Sequence, residues 1–116
     1  MMIIRIKAED VIQYADVSQD EAPIHRDAEA AVLAGFDRPI AHGMYLMGLA
    51  QSLYLAKHHN QWVICCSMRF IKPVYVDSDV SFHYEVQGDR IKVDVMTDAG
   101  IKAAIGDFTV KEGFEG

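Results

Sequence analysis

The sequence predicts an α+β fold, a curved antiparallel β-sheet wrapped around a long central α-helix. Three observations predict it. The 116 residues are 51% apolar and 24% charged, the composition of one globular domain spanning 1–116. Residues 41–59, AHGMYLMGLAQSLYLAKHH, place Met44, Leu46, Met47, Leu49, Ala50, Leu53, Tyr54 and Leu55 on more than one helical face, as in a buried helix. The chain after residue 61 alternates apolar and polar residues between turn sequences, as strands covered on one face do.

The elements follow in order. IIRIK is a short strand. AEDVIQYADVS is an amphipathic helix carrying Val11, Ile12, Tyr14 and Ala15 inward, with Glu9 and Asp10 at its positive end. SQDEAPIHRD has no apolar rhythm, and Pro23 keeps it from being a helix. DAEAAVLAG is a short helix stopped by Gly35. The long helix over 41–59 follows, ending on His58 and His59.

Four strands complete the sheet. WVICCSMRFIKP places Trp62, Ile64, Cys66, Met68 and Phe70 on one face. DVSFHYEV does the same with Val80, Phe82, Tyr84 and Val86, and IKVDV with Ile91, Val93 and Val95. IKAAIGDFTVK closes the set, one phase giving Ala104, Gly106, Phe108 and Val110. QGDR and DAG read as turns, so the strands are expected to follow one another through three hairpin-like connections. The long helix is the only element large enough to cover the sheet. Exposed sheet edges in so small a domain point to edge-to-edge pairing in a homodimer.

Charge and composition exclude several classes. The net charge is −6 and no Lys/Arg cluster stands out, which argues against nucleic acid or an anionic membrane as partner. The first ten residues hold too short an apolar run for a signal peptide, and no segment approaches transmembrane length. Cys65 and Cys66 are adjacent on a strand, where their side chains diverge, so free thiols in a reducing cytoplasm are expected. His58, His59, His25 and His42 fit no zinc-ligand spacing, and neither a metal nor another cofactor is expected.

Two stretches carry chemistry. Asp20 and His25 flank Pro23 in a turn, and a turn can fold a carboxylate against an imidazole, a usual general acid–base pair. The start of the long helix, RPIAHGMYL, lacks a Ser, Thr, Asp or Asn cap and contains Gly43. Its first backbone N–H groups are therefore free to receive an oxygen bearing negative charge.

These stretches bring a resemblance. SQDEAPIH followed by FDRPIAHGM is similar to the signature of the (R)-specific enoyl-CoA hydratases of the MaoC-like dehydratase family: G-D-x-N-P-hydrophobic-H, about a dozen residues, then R-P-I-hydrophobic-H-G-M. MRFIKPVYVDSDV resembles the family's F-x-x-P-V strand, and the likeness runs from about Tyr14 to Val80. It implies a hot-dog fold, usually dimeric, and hydration of a 2-enoyl-CoA or dehydration of a 3-hydroxyacyl thioester carried by CoA or acyl carrier protein. Asp20 and His25 stand at the catalytic acid and histidine, and Gly43 at the glycine whose N–H polarises the thioester carbonyl. Pro39, His42, Met44 and Tyr45, beside that glycine, are the expected substrate-binding residues. Gln19 and Ala22 replace the motif's Gly and Asn, and Gln51 stands beside Ser52 where some members have a serine. The same fold also hosts acyl-CoA thioesterases, and the lost Asn and Gly suit a non-catalytic thioester-binding protein.

Overall fold

A computed structural model describes residues 2–113. Strand β1 (Met2–Ile6) leads into helix α1 (Ala8–Ser18), a 3₁₀ turn (Pro23–His25), helix α2 (Ala28–Leu33) and helix α3 (Gly43–Leu55). Strands β2 (Gln61–Phe70), β3 (Ser78–Gln87), β4 (Arg90–Thr97) and β5 (Lys102–Glu112) follow. All five strands form one antiparallel sheet in the order β1-β3-β4-β5-β2.

That order corrects the expected run of hairpins. The β3–β4 and β4–β5 connections are hairpins, helped by Gly88 and Gly100 at φ of 64° and 79°, a left-handed conformation cheap for glycine. The connection from β2 to β3 is not a hairpin. β2 pairs with β5 at one edge and β1 with β3 at the other, so residues 71–77 cross the width of the sheet.

The core lies between this sheet and α3. Phe82, Ile91, Val93, Val95 and Phe108 are fully buried, as their alternation requires. β5 turns Ala104, Gly106, Phe108 and Val110 inward. From α3, Leu46, Ala50 and Tyr54 at i, i+4, i+8 enter the same cluster. The Tyr54 ring meets Phe108 edge-on at 5.3 Å, and the Tyr84 hydroxyl donates to the Ala50 carbonyl at 2.6 Å. Burial pushes the Tyr84 phenol up to about 12, so it stays a donor across ordinary pH.

Three local expectations change. α3 is shorter than 41–59: His42 is its N-cap and Ala56 its C-cap, leaving His58 and His59 beyond it. Its apolar surface is not all buried in the single chain, since Met44, Gly48 and Ser52 form an exposed stripe. In β2 the pairing with β5 slips between Val63 and Cys65. This bulge makes Ile64 an extra residue, so Val63, Cys66 and Met68 pack on the core while Ile64 is exposed. Strict alternation cannot anticipate such an insertion. Among the described residues, no helix is long and apolar enough to cross a membrane.

Candidate active site

The segment after α1 is folded back on the start of α3 by a set of short-range polar contacts. Gln19 ends α1 in the left-handed region at φ 62°, and the Ser18 hydroxyl accepts the Asp20 amide at 3.3 Å. Arg26 reaches both Glu21 (2.7 Å) and Asp16 (3.4 Å), tying the end of the loop to its beginning. Pro23 opens the 3₁₀ turn, where its missing N–H costs nothing, and that turn buries His25.

Ile40 anchors this loop to the sheet. Its amide donates to the Ile24 carbonyl (3.1 Å), it bridges to Tyr75, and its carbonyl accepts from His25 Nδ1 at 2.8 Å. A carbonyl only accepts, so His25 Nδ1 carries a hydrogen. In the neutral ring, Nε2 then keeps its lone pair. The acceptor nitrogen of His25 is thus turned away from the anchoring bond.

His42 supports the other side. Its Nε2 donates to the backbone carbonyl of Asp20 at 2.8 Å and lies 4.0 Å from that residue's carboxylate. Its ring stacks on His25 with centroids 3.6 Å apart and planes 19° apart, and Tyr14 meets it edge-on at 4.9 Å. The residue is 2% exposed, and its Nδ1 is buried without a hydrogen-bond partner among the described residues. An unsatisfied buried acceptor costs about 1–3 kcal/mol. The stacking and the Asp20 bond are what oppose that cost.

A carboxylate oxygen of Asp20 and one ring nitrogen each of His25 and His42 lie within 4.8 Å of one another. A water bonded to two such groups spans about 4.5 Å between them, so Asp20 and His25 are spaced to share one. The trio is also close enough to suggest a metal site, but its geometry is poor for one. His42 Nε2 is committed to the Asp20 carbonyl, and two rings stacked nearly parallel cannot both hold one ion in their planes.

The helix start has no side-chain cap. α2 shows what a capped start looks like in the same chain, with the Asp27 carboxylate accepting the Glu29 amide at 2.9 Å. Gly43 opens α3 beneath the Phe70 ring. A Cβ at Gly43 would stand 2.8 Å from that ring, so glycine is what lets the aromatic wall close over the helix end. A cavity of about 390 Å³ begins here, walled by His25, Gly43, Phe70, Phe36, Ile71 and Val74 among others.

The placement of the candidate residues is therefore uneven. Asp20, His25 and Gly43 gather at one corner, with the Asp20 side chain 58% exposed to solvent and His25 and Gly43 in the cavity wall. Pro39, His42, Met44 and Tyr45 do not line that cavity. Pro39 instead accepts the Val76 amide, His42 is buried behind His25, Met44 faces solvent, and Tyr45 lines a shallow depression with Tyr14. The expected part of these four in substrate binding is therefore not placed at this cavity. On a helix, neighbours of Gly43 in sequence are splayed around the axis rather than turned to one side. Gln51 bonds the Met47 carbonyl and Cys66, while Ser52 faces outward. The walls that sequence reasoning missed, Phe36, Phe70, Ile71 and Val74, come from segments distant in sequence. The F-x-x-P-V likeness over Phe70–Val74 was their one signal.

The fold and this corner define a hot-dog domain with an acid–imidazole pair at an uncapped helix start, and the chain belongs to the MaoC-like family: the MaoC like domain model matches residues 3–105. The chain is 31% identical to the (R)-specific enoyl-CoA hydratase of Aeromonas caviae, over 92% of this chain and 87% of that protein. It is 33% identical to a mitochondrial 3-hydroxyacyl-[acyl-carrier-protein] dehydratase of Arabidopsis thaliana, over 63% of this chain, and spans 44% of that protein's length. Among solved structures, the (R)-hydratase from A. caviae involved in PHA biosynthesis superposes with a TM-score of 0.85 at 27% identity, over 97% of this chain and 92% of that one. An unliganded R-hydratase from Pseudomonas aeruginosa gives 0.84 at 28%, over 98% and 79%.

Proposed function

We propose that this protein adds water to a trans-2-enoyl thioester to give the (3R)-3-hydroxyacyl thioester, and catalyses the reverse dehydration. The observation that carries the reading is the Asp20 carboxylate close beside His25, with His25 and the bare amide of Gly43 in the wall of one cavity. The hydratase named for the relative covering most of this chain supports it.

The chemistry follows from the tautomer. Water sits between the Asp20 carboxylate and His25 Nε2. Nε2 takes one proton as the water oxygen bonds to the β carbon; the other hydrogen stays on that oxygen as the product hydroxyl, hydrogen-bonded to the Asp20 carboxylate, which also steadies the imidazolium. The π electrons move to the α carbon and the thioester oxygen, where the Gly43 N–H and the positive end of α3 meet the developing charge. One such donor is worth about 3 kcal/mol of barrier. The imidazolium Nε2–H then returns the proton to the α carbon, and His25 ends as it began. No bond to sulfur breaks.

The working unit is a homodimer joined through the β2 edge, which shows Ile64 to solvent near one end and Phe70 at the other. One domain acts in the cytoplasm, in keeping with two free cysteines. The test is the ultraviolet loss of crotonyl-CoA with chiral analysis of the product and a thiol reagent in parallel. Formation of (3R)-hydroxybutyryl-CoA is expected. Free thiol without hydration would assign the corner to thioester hydrolysis, and binding without turnover would make the protein a thioester-binding module.

A further inference from the structure

A second cavity, of about 340 Å³, adjoins the first: Lys72 and Pro73 line both. Its remaining wall comes from Arg38, Tyr75, Ser78 and the β4–β5 turn with Asp98. Resting on the hydratase reading above, we propose that this cavity takes the phosphate of the pantetheine arm that carries the acyl group, with Arg38 and Lys72 as its ligands.

Charge supports it first. The chain carries −6 overall, yet this wall sets two cations against one carboxylate. Arg38 and Lys72 are in no ion pair among the described residues, as is true of five further cations, while Arg5, Arg26, Arg90 and Lys102 are ion-paired. Arg38 is also pre-set. Its Nε donates to the Val76 carbonyl at 2.9 Å, and its guanidinium lies 5.1 Å over the Tyr75 ring. Those two contacts hold the plane of the fork and leave its outer N–H groups for an anion, so little side-chain freedom is lost on binding.

Reach supports it second. Arg38 and Gly43 are separated by five residue steps of non-helical backbone, which spans at most roughly 17 Å. The pantetheine arm between sulfur and phosphorus is about as long as four to five extended residues. An acyl thioester with its carbonyl at Gly43 can therefore lay its arm past Lys72 and Pro73 and set its phosphate at Arg38. The intervening wall is short of charge, which suits an arm of amides and alkyl groups.

The experiment compares three crotonyl thioesters, of CoA, of acyl carrier protein and of N-acetylcysteamine; the last has the reacting group and no phosphate. Lys72→Met and Arg38→Met are measured beside Lys57→Met, an exposed charge change at the far end of α3, and melting temperatures check folding. Each cavity variant should raise KM about tenfold for both phosphate-bearing substrates, change the N-acetylcysteamine ester about twofold or less, and leave kcat near its starting value. Added salt should raise KM for the same two substrates. Equal losses on all three esters, or a loss with CoA alone, would overturn the assignment to the pantetheine phosphate while the hydratase reading stands. If no ester is turned over, the hydratase reading fails, and calorimetric titration with CoA decides the cavity by itself. Weaker binding by both variants supports it and unchanged binding removes it.

Discussion

The two ends of α3 each carry a histidine stacked on an aromatic ring, and they use it in opposite ways. At the C-terminal end, His58 stacks on Tyr54 at 4.0 Å and donates Nδ1 to the Tyr54 carbonyl. The carbonyls of Ser52, Tyr54 and Leu55 all receive backbone N–H groups as well. The chain closes that end with its own donors. At the N-terminal end, His25 stacks on His42, but both imidazoles spend their hydrogens on loop carbonyls, those of Ile40 and Asp20. No side chain caps the helix amides. One end is closed by the protein's own donors; the other has no side-chain cap. Stability needs the first arrangement, and binding a developing negative charge needs the second.

Substitutions at the two ends test this contrast. The largest effect is expected for His25→Ala and Asp20→Ala, each lowering kcat for crotonyl-CoA hydration about a hundredfold to ten-thousandfold with an unchanged circular dichroism spectrum. Turnover within threefold of the starting protein would remove both from the mechanism.

His42→Phe should come next. It keeps a ring against His25 and loses the donor to Asp20, so kcat should fall about tenfold with little change in KM, while His42→Gln, which restores an N–H near Nε2, recovers most of it. Equal losses in both variants would point to packing alone.

Gly43→Ala drives a methyl group into the Phe70 ring. Chemical denaturation should register about 1–3 kcal/mol of destabilisation, partly relieved by adding Phe70→Leu. The smallest effect belongs to the other end: His58→Ala removes one donor from a helix terminus and should cost about 1 kcal/mol by the same measurement, with kcat unaltered. A loss of activity there would mean the two ends are coupled through the helix.

Legibility differed in the same way between sheet and corner. Val80, Phe82, Ile91, Val93 and Val95 declare their side by alternation, because a strand's period of two is enforced residue by residue. β2 escaped the rule at Ile64 because a bulge depends on the partner strand, and neighbours in sequence say nothing of it. Asp20, His25 and Gly43 were recognisable as residue types in a known pattern. Met44 and Tyr45 were chosen by nearness in sequence and lie off the cavity, since adjacent helical side chains diverge.

The amino-acid order by itself determined the element types, the inward face of β4 and that of β3 from Val80 to Tyr84 (Val86, expected inward too, is exposed where the strand runs past the core), the glycine at the helix start and the absence of a capping side chain there. These are local properties, decided by periodicity, backbone freedom and the side chain at one position. Tertiary structure decided which nitrogen of His25 holds its hydrogen, that His42 braces the loop from behind, and that residues 70–74 wall the cavity. Each of those depends on a carbonyl or ring brought from at least fifteen residues away, and only the folded chain puts it within 3 to 4 Å.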